Sequence, residues 1–279
     1  MPYLIVVSLL WAFSFGLTKG HLVALDSAFV SAVRLGLALL VFLPFLRMRR
    51  ISRQIALTLL GIGAIQFGVM YLAYNEAFHY LPAYAVALFT VTTPILVTLF
   101  ADAIDQKLRP RPLLAASIAV LGSAVVLWHS AAPTESLIKG FFLVQISNAA
   151  FAAGQIFYRQ ARTWPETPDD QRGFALLYAG GFIVAFVVML AKGAMPSAIT
   201  FDQRLTLLYL GVVASGVGFF LWNRGSTQVD TGTLAVMNNL KTPLAIACSL
   251  LFFGESTDIP RLFVSLALMA VALWVNEKK

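Results

Sequence analysis

Residues 82–101 read PAYAVALFTVTTPILVTLFA, twenty positions in a row without a charged side chain. A helix of roughly 20 mostly apolar residues is what crosses the hydrocarbon core of a bilayer. Working outward, similar runs precede it at Tyr3–Lys19, Ser27–Leu46 and Gln54–Asn75. Others follow at Leu113–Trp128, Gly140–Tyr158, Gly173–Ala191, Leu205–Arg224, Gly232–Phe253 and Leu262–Asn276. The 279 residues are 59% hydrophobic and 12% charged, with a mean hydropathy of +0.81. A soluble domain of this length would leave too much of that apolar surface facing water. The expected fold class is an all-α membrane protein of ten transmembrane helices, with connections too short for a separate soluble domain.

The first run starts at Tyr3 with no basic segment before it and ends without an A-x-A-like cleavage site, so it is expected to be retained rather than removed as a signal. The single cysteine, Cys248, excludes a disulfide within the chain. His21, His79 and His129 are scattered and give no zinc spacing, and nothing calls for a cofactor. The net charge of +7 would suggest nucleic acid in a soluble protein; here the basic residues are topology determinants. Placing the N-terminus in the cytoplasm puts thirteen Lys and Arg on that side, including those of the Arg47–Arg53 loop, against five (Lys19, Lys139, Lys192, Arg204 and Arg261) on the other. That bias places both termini in the cytoplasm. The remaining two cations, Arg34 and Lys241, fall within spans.

The chain resembles itself at a nearly constant offset. Trp11-Ala-Phe-Ser-Phe-Gly-Leu-Thr-Lys19 aligns with Phe151-Ala-Ala-Gly-Gln-Ile-Phe-Tyr-Arg159 at an offset of 140. Gly61 and Gly68 align with Gly211 and Gly218 at 150, and Pro94 with Pro243 at 149, each proline preceded by threonine. Duplication explains this order economically, with halves at 1–130 and 131–279. Five spans per half is an odd number, so the second half must enter the membrane in the opposite sense. Inverted repeats are a recurring transporter device, because two equivalent halves can open one site alternately to each side.

These same residues, with Arg34 in an Ala-Val-Arg-Leu-Gly context and Phe253-Gly254-Glu255 after the ninth span, resemble the drug/metabolite transporter superfamily. More narrowly, the chain is similar to its EamA-type branch, ten helices in two five-helix repeats, over essentially its whole length. The resemblance implies a secondary carrier of small metabolites, often amino acids and often outward, with a central cavity between the halves. Two departures are visible: Asp105-Gln106 stands where the second half has Gly254-Glu255, and no arginine in the seventh span answers Arg34.

Polar groups inside a membrane are costly and therefore candidates for function. Lys241 lies near the middle of the ninth span, in the run Asn238-Asn239-Leu240-Lys241-Thr242 before Pro243. That proline removes a backbone donor, so a broken helix is expected there, with freed carbonyls near Asn239 facing a wet cavity. Lys241 either holds a solute's anionic end or pairs with carbonyls or a buried acid to pack the bundle. Arg34 either meets a carboxylate or satisfies neighbouring helix ends, and its presence across the family's many substrates favours the second. Trp11 is mid-span with Ser14 and Phe15 on nearly the same face. With its repeat partner Phe151 it either sandwiches an apolar solute or packs the core. The expected substrate-binding set is Lys241, Trp11, Ser14, Gln66, Tyr74, Phe151, Gln155, Asn238 and Asn239. Pro94, Pro243, Arg34, Gly68 and Gly218 are assigned structural or hinge roles, the glycine pairs Gly61/Gly68 and Gly211/Gly218 admitting a close neighbour. Glu76 and His79 form either a proton-accepting pair or a solvated turn.

A membrane enzyme finds no H-E-x-x-H, no G-x-S-x-G and no deep acid pair. A multidrug exporter of lipophilic cations needs an embedded carboxylate, yet Asp102, Asp105, Asp230 and Glu255 all sit at span ends. The expectation is a secondary transporter in the inner membrane, exporting amino acids or related carboxylates by alternating access, its partners a small solute and the bilayer. A cysteine at Ser52 on a Cys248→Ser background is expected to react with an impermeant maleimide from the cytoplasm. Labelling exclusively from the periplasm would reverse the topology.

Overall fold

The computed structural model describes residues 2–106, 134–229, 231–256 and 258–277, with isolated positions between 107 and 133. The regular structure among the described residues is all helical, with no strand. The helices are α1 (Pro2–Leu22), α2 (Ser27–Phe45), α3 (Arg53–Ala77), α4 (Ala83–Ile104), α5 (Glu135–Ala161), α6 (Asp170–Lys192) and α7 (Phe201–Ser226). They are followed by α8 (Thr231–Phe252) and α9 (Ile259–Glu277). The first seven are long and apolar enough to cross a membrane, which makes this a multi-pass membrane protein. Most of the expected fifth span lies outside the described residues, as do Lys107, Arg109, Arg111, His129, Asp230, Lys278 and Lys279.

Helix starts follow capping chemistry. The side chains of Asp26, Ser52 and Thr134 accept from the first-turn amides of α2, α3 and α5, and Thr200 with Gln203 forms a reciprocal capping box on α7. Interiors are less regular. α1 ends in π geometry at Thr18–Leu22, and α3 and α7 adopt it over Ala64–Val69 and Tyr209–Val217. α4 tightens into a 3-10 turn at Thr90–Thr92 immediately before Pro94. The break expected at Pro243 is absent: α8 stays helical through that proline. Membrane helices tolerate a proline where neighbours re-satisfy the backbone it frees. Of the two prolines, only Pro94 marks a change of helical pitch.

Each of the first four helices finds its main partners beyond residue 134. α1 packs on α7 and α8, α2 on α6 and α7, α3 on α5 and α6, and α4 on α5 and α8. The closest approach is α3 against α6. A Cβ at Gly63 would lie 1.8 Å from the Leu177 carbonyl oxygen, and one at Gly180 would lie 1.9 Å from that of Leu60. Gly61 is not part of this seam: it is exposed, and a Cβ placed there would have nothing within 4 Å. Gly68 does face α6, where an added Cβ would lie 2.9 Å from Val184, and at Gly218 an added Cβ would lie 3.1 Å from the Trp11 indole.

The turn after α8 shows what Phe253-Gly254-Glu255 does. Gly254 takes a positive φ of 65°, a conformation glycine adopts without a side-chain clash. This aims the Glu255 carboxylate at the start of α4, where it accepts from the Ala83 and Tyr84 amides at 2.7 and 3.0 Å. The Ser249 hydroxyl donates to the same carboxylate. Phe253 occupies the space left by Gly16 and Gly20 on α1. Glu76 accepts from Ser27 at 2.5 Å and Tyr80 at 3.2 Å, so its partners are these hydroxyls and not His79.

Because backbone atoms cannot swing aside as side chains do, Gly63→Ala and Gly180→Ala are each expected to cost about 1–3 kcal/mol. Gly61→Ala should be neutral or stabilising by up to about 1 kcal/mol through helix propensity. Melting temperatures of the three purified variants in one detergent check the order.

Candidate functional site

A cavity of about 60 Å³ opens between the helices. α1 contributes Trp11, Ser14 and Phe15; α2 Arg34; α3 Met70, Tyr71 and Tyr74; α4 Thr90 and Thr93. α5 adds Ser147, Asn148 and Phe151, α7 Phe219 and α8 Lys241. The wall carries two cations and, among the described residues, no Asp or Glu.

Lys241 is only 6% exposed. Its Nζ lies 5.0 Å from the centroid of the Trp11 ring and 5.3 Å from that of Phe151. Ring faces carry the negative end of a quadrupole and attract an ammonium, but they do not neutralise it. Among the described residues no carboxylate forms an ion pair with it. Trp11 is itself tied down, its indole N–H donating to the Ala214 carbonyl at 2.8 Å. That acceptor belongs to the π stretch of α7, as do the Ser215 and Gly216 carbonyls that take the Tyr178 hydroxyl. Trp11 and Phe151 meet edge to face, with centroids 6.0 Å apart. They bracket the lysine and leave no slot between themselves for a solute.

Arg34 faces the same cavity and is held by neutral groups. It donates to the Tyr71 hydroxyl at 2.7 Å, to Ser215 at 3.3 Å and to the Asn75 oxygen at 3.4 Å, and lies 4.3 Å from the Tyr71 ring centroid. These bonds tie α2 to α3 and α7, in keeping with a structural role, although the residue also forms part of the wall.

Of the residues expected to bind substrate, Lys241, Trp11, Ser14, Tyr74 and Phe151 share the wall. Gln66, Gln155 and Asn238 do not, and the Asn239 side chain lies outside the described residues. Gln66 and Asn223 exchange reciprocal amide bonds at 2.8 and 3.1 Å. Gln155 accepts from the Trp222 indole at 3.1 Å and from Asn238 at 3.3 Å. Each member stands three or four residues from a wall residue on its own helix, as Gln66 does from Met70 and Gln155 from Phe151. The result is a fully buried polar layer one helical turn from the wall residues. Residues missed from the sequence are Met70, Asn148, Ser147, Thr90, Thr93 and Phe219. The signal for Asn148 was present: an amide three residues before Phe151 shares its helical face.

Gln66→Leu leaves the Asn223 amide unpaired and is expected to destabilise by about 1–3 kcal/mol. The double variant with Asn223→Leu should recover part of the loss. A double-mutant cycle on thermal stability measures the coupling, and strict additivity would contradict the brace.

The sequence profile of the EamA-like transporter family matches residues 1–128 and again 138–276. The chain is 39% identical to the probable biotin transporter of Pseudomonas aeruginosa, over 99% of this chain and 97% of that protein. It is 38% identical to the biotin transporter of Escherichia coli (strain K12), over 100% of this chain and 93% of the relative. The probable amino-acid metabolite efflux pump of Escherichia coli is 24% identical over 64% of this chain and 62% of its own length. A protein of known crystal structure superposes with a TM-score of 0.68 at 18% identity, covering 98% of this chain and 95% of its own, a likeness of fold alone.

Proposed function

We propose that this chain, which belongs to the EamA-like transporter family and is a transporter rather than an enzyme, carries a small carboxylate with an apolar, ring-bearing body. Biotin is the leading candidate. The observation that carries the reading is the Lys241 ammonium in the central cavity, flanked by Trp11 and Phe151, with no acid among the described wall residues. A lysine at bilayer depth costs roughly 2.5–3.5 kcal/mol on insertion scales, and a solute carboxylate offsets that cost when it binds. The aromatic rings suit an apolar body beside it. Relatives aligned over the whole chain are named biotin transporters, whereas the amino-acid efflux pump aligns over 64% of it. The solute favoured here is therefore biotin, not an amino acid. A lipophilic-cation substrate is disfavoured by the two cations on the wall.

The ten-helix, two-repeat layout belongs to the same proposal, with halves at 1–130 and 131–279 inserted in opposite senses. Its support is the double match of the family profile and the internal offsets near 140–150. Alternating access follows from two such halves exchanging roles about one cavity. The basic residues orient both termini toward the cytoplasm, in the inner membrane of the cell.

Binding of radiolabelled biotin to purified protein tests the reading, with biotin methyl ester as a competitor lacking the charge. Lys241→Met should melt at least as high as the parent and bind biotin about 10- to 100-fold more weakly, as loss of a charged hydrogen bond predicts. The neutral ester should bind both proteins alike. Parental biotin affinity in a well-folded Lys241→Met protein would overturn the proposal.

A further inference from the structure

The cavity has a second polar feature, opposite in hydrogen-bonding character to Lys241. It originates in the irregular turn of α4. Pro94 has no N–H to give, and the 3-10 turn at Thr90–Thr92 disturbs the backbone pairing just before it. At this point the Phe89 carbonyl accepts side-chain donors from α5: Asn148 Nδ2 at 2.9 Å and Gln145 Nε2 at 3.4 Å. A carbonyl only accepts, so the nitrogen end of the Asn148 amide must face Phe89. The second proton on that nitrogen goes to Thr92 Oγ1 at 2.9 Å. Thr92 in turn has two acceptors for its own proton, Gln145 Oε1 at 2.6 Å and the Phe89 carbonyl at 3.1 Å. Both donors of Asn148 are thus consumed by groups that cannot donate back, and the amide has a single orientation.

Its oxygen then points the other way. No described donor reaches Asn148 Oδ1, and the residue, 4% exposed, forms part of the cavity wall with Lys241. We propose that Asn148 Oδ1 is a specificity determinant: it accepts a hydrogen bond from an N–H on the part of the solute remote from its carboxylate. This rests on the carboxylate reading above and deepens it, because Lys241 offers only donors and Asn148 only an acceptor. Together they select a molecule with a carboxylate at one end and an N–H-bearing ring at the other. Biotin, with its ureido ring, has both. Lipoate has the carboxylate, an alkyl chain and a sulfur-containing ring, but no N–H.

The experiment measures binding of radiolabelled biotin to the purified full-length protein, displaced by unlabelled biotin or lipoate. The parent should prefer biotin by about tenfold or more, the scale of one buried hydrogen bond whose loss leaves its partner unpaired. Asn148→Leu should lose about that factor for biotin while holding lipoate unchanged, so that the preference disappears. The Phe89 carbonyl keeps Gln145 as a donor in this variant. Thr92→Val, at a residue off the cavity wall, removes one of the two acceptors that hold the amide and should erode the preference by a few-fold. Equal affinity of the parent for biotin and lipoate overturns the role of Asn148 and leaves the carboxylate reading standing, whether or not the variants fold. An unchanged preference in a folded Asn148→Leu protein does the same. Loss of discrimination in Asn148→Leu beside full biotin binding in Lys241→Met would instead uphold Asn148 and overturn the lysine.

Discussion

An ammonium group half-way along a membrane helix sets the terms for everything around it. Lys241 has to be compensated where water is scarce, and the described residues provide ring faces and an open cavity instead of an acid. Ring quadrupoles stabilise a cation without cancelling its charge. The site therefore retains a net pull on anions, which a buried salt bridge would have quenched. Arg34 obeys the same rule differently: its guanidinium is shared among Tyr71, Asn75 and Ser215, so a second positive charge borders the cavity on neutral partners.

Keeping that cavity open depends on irregular backbone. The π stretch of α7 presents the Ala214, Ser215 and Gly216 carbonyls to Trp11 and Tyr178, which anchors the aromatic wall. The 3-10 turn of α4 gives Phe89 to Asn148. In lipid, backbone departures of this kind survive only where protein or a cavity satisfies the displaced groups. Two of the side chains that satisfy them, Trp11 and Asn148, belong to the cavity wall.

The periphery is arranged to make this interior rigid. α3 and α6 touch backbone to backbone through Gly63 and Gly180. The buried layer of Gln66, Asn223, Trp222, Gln155 and Asn238 ties α3, α5, α7 and α8 together one turn from the cavity. At the start of α4, Glu255 fastens the turn after α8 to the Ala83 and Tyr84 amides. Since the first four helices pack mainly on those beyond residue 134, any movement between these two sets would rearrange contacts of these kinds.

The sequence by itself determined that the chain lives in lipid, where most of its helices run, and that Lys241, Trp11 and Phe151 stand out from their surroundings. Hydropathy is a local property that adds along the chain, and a lysine within an apolar run is anomalous whatever surrounds it. Tertiary structure decided which other polar residues share the cavity. Gln66, Gln155 and Asn238 are expected on its wall from the sequence, yet they form a buried layer one turn from it, while Asn148, Thr90 and Thr93 line it without standing out in the sequence. The reason is axial: a step of three or four residues keeps the helical face but moves one turn along it, and the sequence does not report at which turn the neighbouring helices part to leave a cavity. The two prolines differ as well: α8 absorbs Pro243 and α4 changes pitch at Pro94, where the Phe89 carbonyl finds donors on α5, partners that only the tertiary structure supplies.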